Sequence, residues 1–219
     1  MSKKRSKVIP IDDKPKRKDV IPKVIIFDKK ITKKYPEFKP NLTPAQIFEL
    51  GSFHDQGGYY RDIKSIFYKE ILKDTWKKYT AKGKCLEGVN IDLLVTPDKY
   101  KTQKSKNELN KYKRKAGLSL KQWHDFGWMR KQDPYGWIQW YCEFYDGRVS
   151  PDDDRQIIRW IKFAGETQGR WNKNLMNKII KENTTFDDFS ISPIIRQSLQ
   201  HWAYQLTKED FDKFVKLQK

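Results

Sequence analysis

Residues 130–147 read RKQDPYGWIQWYCEFYDG, and this stretch decides the fold class. Tyr135, Trp137, Trp140, Tyr141, Phe144 and Tyr145 crowd into a single short run. Asp133 followed by Pro134 signals a helix start, because aspartate can take an orphan backbone N–H and proline's fixed φ suits the first turn. Gly147 signals a stop, since glycine enters the left-handed region freely. At about 100° per residue, the rings with Ile138 and Cys142 cover most of the helix circumference. Only Gln139, Glu143 and Asp146 form a polar stripe, spaced i, i+4, i+7. A helix apolar over so wide an arc belongs in the middle of a domain. The alternative left open is that its narrow polar stripe lines a pocket.

Working outward, the same punctuation recurs on both sides. Ser150-Pro151 with Asp152 and Asp153 opens the next helix, its acids at the positive end, and Gly165 closes it. A further helix spans about 172–182, Ser192-Pro193 starts one over 193–205, and Thr207 with Asp210 prepares 208–217. Upstream, Ser119 caps 120–126 and Gly127 ends it. Thr43-Pro44 starts 45–50, with Gly51 as the stop, and 69–79 reads as helix. The Gly57-Gly58 loop and its flanks read as a small β-hairpin near 53–66. All tryptophans but Trp76 fall in 122–219, so the core is expected there. The pattern predicts a mainly α, Trp-rich helical bundle forming a single domain over 41–219.

Charge divides the 219 residues unevenly. Residues 1–40 hold 14 Lys/Arg against 5 Asp/Glu, and residues 97–121 hold 9 against 2, whereas 122–219 are nearly balanced at 15 against 14. The first basic segment has scattered prolines and few core-forming residues, so 1–40 reads as a flexible, disordered arm. Within it, Val24-Ile25-Ile26-Phe27 alone has strand character. Two basic segments on a near-neutral body point to a polyanionic partner. In 97–121, lysines that neutralise phosphates alternate with tyrosines that stack on bases.

Nucleic-acid contacts are therefore expected from Lys104, Lys106, Lys111, Tyr112, Lys113, Arg114 and Lys115, together with Arg61 beside the glycine pair. On the helix after Pro151, Ile157, Trp160, Ile161 and Ala164 form the buried face, which leaves Arg155, Arg159 and Lys162 opposite. Arg148, Arg170 and Arg196 extend this anion-seeking set. Its competing reading is a solvated face balanced by Asp152, Asp153 and Asp154. Ile195, Leu199, Trp202 and Leu206 repeat at core spacing, so Arg196, Gln197, Gln200 and His201 are expected to face solvent or a groove. Gln and Arg there are capable base-edge readers.

Catalytic patterns are missing from the sequence. HExxH, Walker A, GxSxG, the Rossmann fingerprint and the zinc-deaminase signature are absent. Cys85 and Cys142 belong to no CxxC or Cys/His cluster, so neither a metal nor a disulfide framework is expected, and no cofactor is implied. An active site, if one exists, would gather Glu143 and Gln139 with Asp133, Arg130 and His124, Glu143 serving as a general acid. The N-terminus lacks an apolar leader and no apolar run has membrane-spanning length. The expected setting is intracellular, in the nucleus or in a viral factory or virion, without secretion or a membrane partner.

From about Phe48 to Phe214 the chain resembles a family of proteins of unassigned function found in fungi, bacteria and large DNA viruses. The match is carried by Phe48-Glu-Leu-Gly-Ser-Phe, Gly57-Gly58 with Tyr60-Arg61, and Asp133-Pro-Tyr-Gly-Trp-Ile-Gln-Trp-Tyr-Cys with Phe144-Tyr145. Gly147-Arg148, Asp153-Asp154-Arg155-Gln156, Gly169-Arg170-Trp171, Ser192-Pro193 with Arg196-Gln197, and His201-Trp202 complete it. The resemblance implies a domain and its boundaries, and no mechanism. Three expectations follow for the chain. It is a non-enzymatic nucleic-acid-binding protein, with DNA favoured over RNA, or an enzyme on nucleic acid or nucleotides with a base pocket at the 130–146 helix. The third is a virion structural or genome-packaging component with capsid or chromatin-like assembly partners.

Overall fold

The aromatic helix starts later than its sequence suggests. In the computed structural model, which describes residues 20–53 and 110–218 apart from 119, 129, 131 and 134, the N–H of Gly136 donates to the carbonyl of Asp133 at 2.9 Å and closes a turn. Gly136 has φ 76° and ψ −147°, a region essentially reserved for glycine. A Cβ there would lie 2.3 Å from the ring of Trp123. The helix therefore begins at Trp137, and Asp133 is not its cap. The Asp133 carboxylate instead accepts two bonds from Arg148, each 2.8 Å, and one from Gln132.

Eight helices are present among the described residues: α1 Lys29–Lys34, α2 Pro44–Glu49, α3 Leu120–Asp125, α4 Trp137–Tyr145, α5 Asp153–Ala164, α6 Arg170–Lys181, α7 Pro193–His201 and α8 Lys208–Leu217. The mainly α class is thus observed. The hairpin near 53–66, the helix over 69–79, the Ser119 cap, and Arg61, Lys104 and Lys106 lie outside the described residues, as does 1–19. Neighbours pack in a chain, α2 on α4, α4 on α5, α5 on α6 and α6 on α7.

Five helices end alike. A residue with positive φ follows the C-cap, its N–H bonds back three residues, and the next N–H bonds back five. This double carbonyl capture is satisfied most cheaply by glycine, which serves at Gly51, Gly127 and Gly147. Asn183 serves after α6 and Ala203 after α7. Ala203 ends α7 at His201, so the helix expected to reach 205 is cut short. Ser192 marks the start of α7 as expected but makes no side-chain cap. Thr43 and Thr207 do cap α2 and α8 through their hydroxyls.

The core is a set of rings. Trp140, Tyr141, Trp160 and Phe48 are essentially inaccessible. Trp137 stacks on Tyr141 at 4.8 Å and on Trp202 at 4.9 Å between centroids. Phe38 meets Trp160 edge-on at 5.3 Å and stacks with Phe27 at 5.2 Å. Such pairs add about 0.5–1.5 kcal/mol each beyond area burial. Their polar atoms are used as well: Trp160 Nε1 donates to the carbonyl of Trp202 at 2.7 Å, and the Tyr141 hydroxyl donates to that of Leu42 at 2.9 Å. Cys142 is buried in the same cluster.

Phe27 and Phe38 come from the segment expected to be an arm. Residues 20–40 belong to the body, and its start moves back from Asn41 at least to Val20. The alternation explains this: Ile25 and Phe27 turn inward onto the core while Val24 and Ile26 stay exposed. The extended stretch is fixed by Lys23 N to the Asn41 carbonyl at 3.0 Å and Ile25 N to the Pro40 carbonyl at 2.8 Å. Asn41 then exchanges two 2.8 Å bonds with the backbone of Gln205, and its N–H donates to Ala203 O. The segment leading into α2 is thereby joined to the turn after α7.

Candidate nucleic-acid interface

On α5 the buried face is Ile157, Trp160, Ile161 and Ala164, which turns Arg155, Arg159 and Lys162 outward. The three consecutive aspartates at its start diverge. Asp153 turns inward, accepting from Trp140 Nε1 at 2.8 Å and from the Ser150 hydroxyl at 2.7 Å. Asp154 reaches Lys34 of α1 at 2.6 Å. Asp152 alone meets the arginines, held by Arg155 and by Gln156 Nε2 at 3.0 Å. Arg155 beside it holds the Asp152 carboxyl below its ordinary 3.8, with Arg130 adding to the effect.

The cationic set therefore outweighs its local acids. Arg130, Arg155 and Arg159 share one neighbourhood with Asp152, and Arg148 with Asp133. Surrounding protein and the like charges of Arg155 and Arg130 depress the basicity of Arg159, although its side chain reaches the surface. The Arg159 guanidinium also lies 5.2 Å from the ring centroid of Trp202 and donates to Gln156 Oε1 at 2.8 Å.

Aromatic rings continue this surface. Trp202 stacks on Phe163 at 4.5 Å, Phe163 leans on Trp171 at 5.8 Å, and the Arg170 guanidinium sits 5.5 Å from the Trp171 ring. Phe163, Trp171 and Trp202 are half-buried and Arg170 is exposed. The result is a strip of rings with a guanidinium near each end. Cations beside ring faces suit both phosphates and bases, because the charge meets the backbone and any base presents a π-face.

The strip was only half legible. Arg155, Arg159 and Arg170 were expected, whereas Trp202 was assigned to the core and Phe163 and Trp171 were missed. The signal available was their spacing to cations, since Phe163 follows Arg159 by four residues and Trp171 adjoins Arg170.

Other expected contacts fall elsewhere. Arg196 is buried, and its guanidinium donates to the carbonyls of Ile191, Phe186 and Asp188 at 2.9–3.0 Å, tying down the loop before α7. Tyr112 is buried against Phe189, which pushes its phenol up to about 12. It is no stacking platform. Lys111 donates to Gln205 Oε1 at 2.6 Å, whereas Lys113, Arg114 and Lys115 are exposed. Arg148 is committed to Asp133.

Gln197, Gln200 and His201 are buried rather than facing a groove. Gln197 Oε1 takes the Tyr112 N–H at 3.5 Å, Gln200 Nε2 donates to the Ser52 hydroxyl at 2.7 Å, and His201 stacks on Phe53. Among the catalytic candidates, Gln139 is buried and accepts from Tyr135 N at 3.0 Å. Asp133 is bound by Arg148, Glu143 is half-buried on α4, and His124 is exposed 3.5 Å from Asp125.

Among the described residues, no group of three His, Cys, Asp or Glu side chains is placed to hold a metal. Nor is any helix there long and apolar enough to cross a membrane. Compared with protein-family models, curated proteins and solved structures, the chain matches none.

Proposed function

We propose that the protein is a non-enzymatic nucleic-acid-binding protein, with DNA the expected partner. The observation that carries this reading is the strip in which Arg159 and Arg170 flank Trp202, Phe163 and Trp171. Arg130 and Arg155 extend it as phosphate contacts, and Lys113, Arg114 and Lys115 of the basic segment are exposed elsewhere on the surface for further ones. Trp202 is already stacked on Trp137 and Phe163, so the half-buried Trp171 beside Arg170 is the ring offered to a base, which favours unpaired strands whose bases are free to stack. A bound polyanion would also relieve the repulsion that Arg159 feels from Arg155 and Arg130.

The test is fluorescence anisotropy with labelled single strands and duplexes across a salt series. Binding should weaken steeply with salt, by a log–log slope of about −0.7 per phosphate contact on single strands. Arg159→Glu with Arg170→Glu should lower affinity at least about tenfold and flatten the slope by roughly one to two contacts. Flat affinity across the salt series, or unchanged binding by the double variant, would sink the proposal.

A further inference from the structure

Residues 110–116 form a turn fastened into the body on either side of an exposed middle. Asn110, Tyr112 and Ala116 are buried, whereas Lys113, Arg114 and Lys115 are exposed. Lys111 N donates to the Leu50 carbonyl at 3.0 Å, and Lys113 N to that of Asn110 at 3.1 Å. Asn110 Nδ2 reaches the Arg114 carbonyl at 3.1 Å, and the Tyr112 N–H meets Gln197 Oε1 at 3.5 Å. Lys113 sits at φ 52°, a left-handed conformation disfavoured for lysine that persists only where its surroundings impose it. Three consecutive cations are thus carried on an ordered backbone.

The ring beside this turn is Phe189, on the loop before α7, and it is 48% exposed. Its centroid lies 5.7 Å from that of Tyr112, with the two planes at 71°. Lys111 Nζ is 5.1 Å and the Arg196 guanidinium 5.4 Å from the same centroid. Tyr112 and Arg196 are both buried, so they hold the ring from the protein side and leave its remainder to solvent. The loop's own acids are Asp187 and Asp188, and Asp188 accepts from Thr184 and Ser190. Asp187 is then set against Lys111, Lys113, Arg114 and Lys115. The tyrosine of this basic segment is sealed, and the ring it packs on is the accessible one.

We infer that Phe189 and the 113–115 turn form a second site for an unpaired nucleic-acid strand, one base stacking on the ring while neighbouring phosphates meet the three cations. The inference rests on the nucleic-acid reading above, but the site shares no residue with the strip of Arg159 and Arg170. A ring face accepts any base, so the site tolerates sequence. Cations on a fixed backbone lose less freedom on binding than cations on a loose tail, which favours this turn as a contact. One chain then holds two stretches of strand.

The test is calorimetric titration of the full chain with a short oligothymidylate and with an abasic oligomer of the same length. Both are read in the Arg159→Glu, Arg170→Glu background, where the residual binding should come from this turn. There Phe189→Ala should weaken the oligothymidylate at least about fivefold, the loss of one stacked base, and leave the abasic oligomer unchanged. Lys113→Glu with Lys115→Glu should weaken both oligomers at least about tenfold. Phe189→Trp keeps a stacking face and should hold the affinity, and matching melting temperatures report that every variant is folded. Binding by the unaltered chain but none in the strip-silenced background overturns this site and leaves the strip standing. Undiminished oligothymidylate binding by Phe189→Ala also overturns it, as does an equal loss on the abasic oligomer or no effect of the lysine pair. If the unaltered chain binds neither oligomer, both readings fall.

Discussion

Single residues decide where this chain turns, and Gly136 is the sharpest case. Its backbone lies where only glycine is comfortable, and the Trp123 ring fills the space a Cβ would need. Gly136→Ala should cost about 2–3 kcal/mol, measured by chemical denaturation with an unchanged dependence on denaturant. The Asp133-Pro134 pair announces a helix start, but the helix begins only at Trp137. What could not be read locally was that Asp133 would abandon the cap for Arg148, because that choice depends on where the other end of α4 brings a guanidinium. Likewise Gly51, Gly127 and Gly147 were legible as stops, whereas Asn183 and Ala203 were not. A left-handed alanine is disfavoured on its own terms and is imposed here by the docking of Asn41 and Leu42 on its carbonyl.

At the scale of the element, α7 shows where periodicity misleads. Polar residues at Arg196, Gln197, Gln200 and His201 suggested a solvated face, but their partners lie far off in sequence. Ser52 and Leu50 are about 150 positions from Gln200, beyond any local window. The apolar face of α5, by contrast, was readable because solvent covers its other side. The buried polar face of α7 makes a pH prediction. Gln197 Oε1 faces the Tyr112 N–H, which leaves its Nε2 to donate to His201 Nε2 at 3.0 Å. Burial pushes His201 down to about 3 from its ordinary 6.5. The folded imidazole therefore stays neutral where the unfolded one takes a proton. The contribution is whole above pH 6.5 and is lost as pH falls from there towards 3, by up to about 1.4 kcal/mol per unit. His201→Gln should flatten stability between about pH 6 and 4, a change visible in melts at stepped pH.

For the whole molecule, the main revision is the role of residues 20–40. Their charge made them look like an appendage, yet Phe27, Phe38 and Tyr35 lie in or against the core. Charge density describes the outward positions of that segment, and the few inward ones set its place. A chain starting at Asn41 should lose more than about 5 kcal/mol, since losing a single buried phenylalanine ring costs about 3–5, and its melting transition should broaden or vanish. The cation–ring strip, too, is a property of the assembled body. Its rings come from α5, α6 and the turn after α7, and no one segment contains it.

The joining of Asn41 to Gln205 sets an order of events during synthesis. These partners are 164 residues apart, and a ribosome adds about 5–20 residues per second. Roughly 10–30 s therefore separate the emergence of the first from that of the second. For more than half of that interval Phe38 waits outside the tunnel without Trp140 and Trp160, and Phe27 without Tyr141 and Phe144. The molecule closes only when its last helices are released, which makes the early segment a natural client for chaperones that shield nascent aromatic side chains.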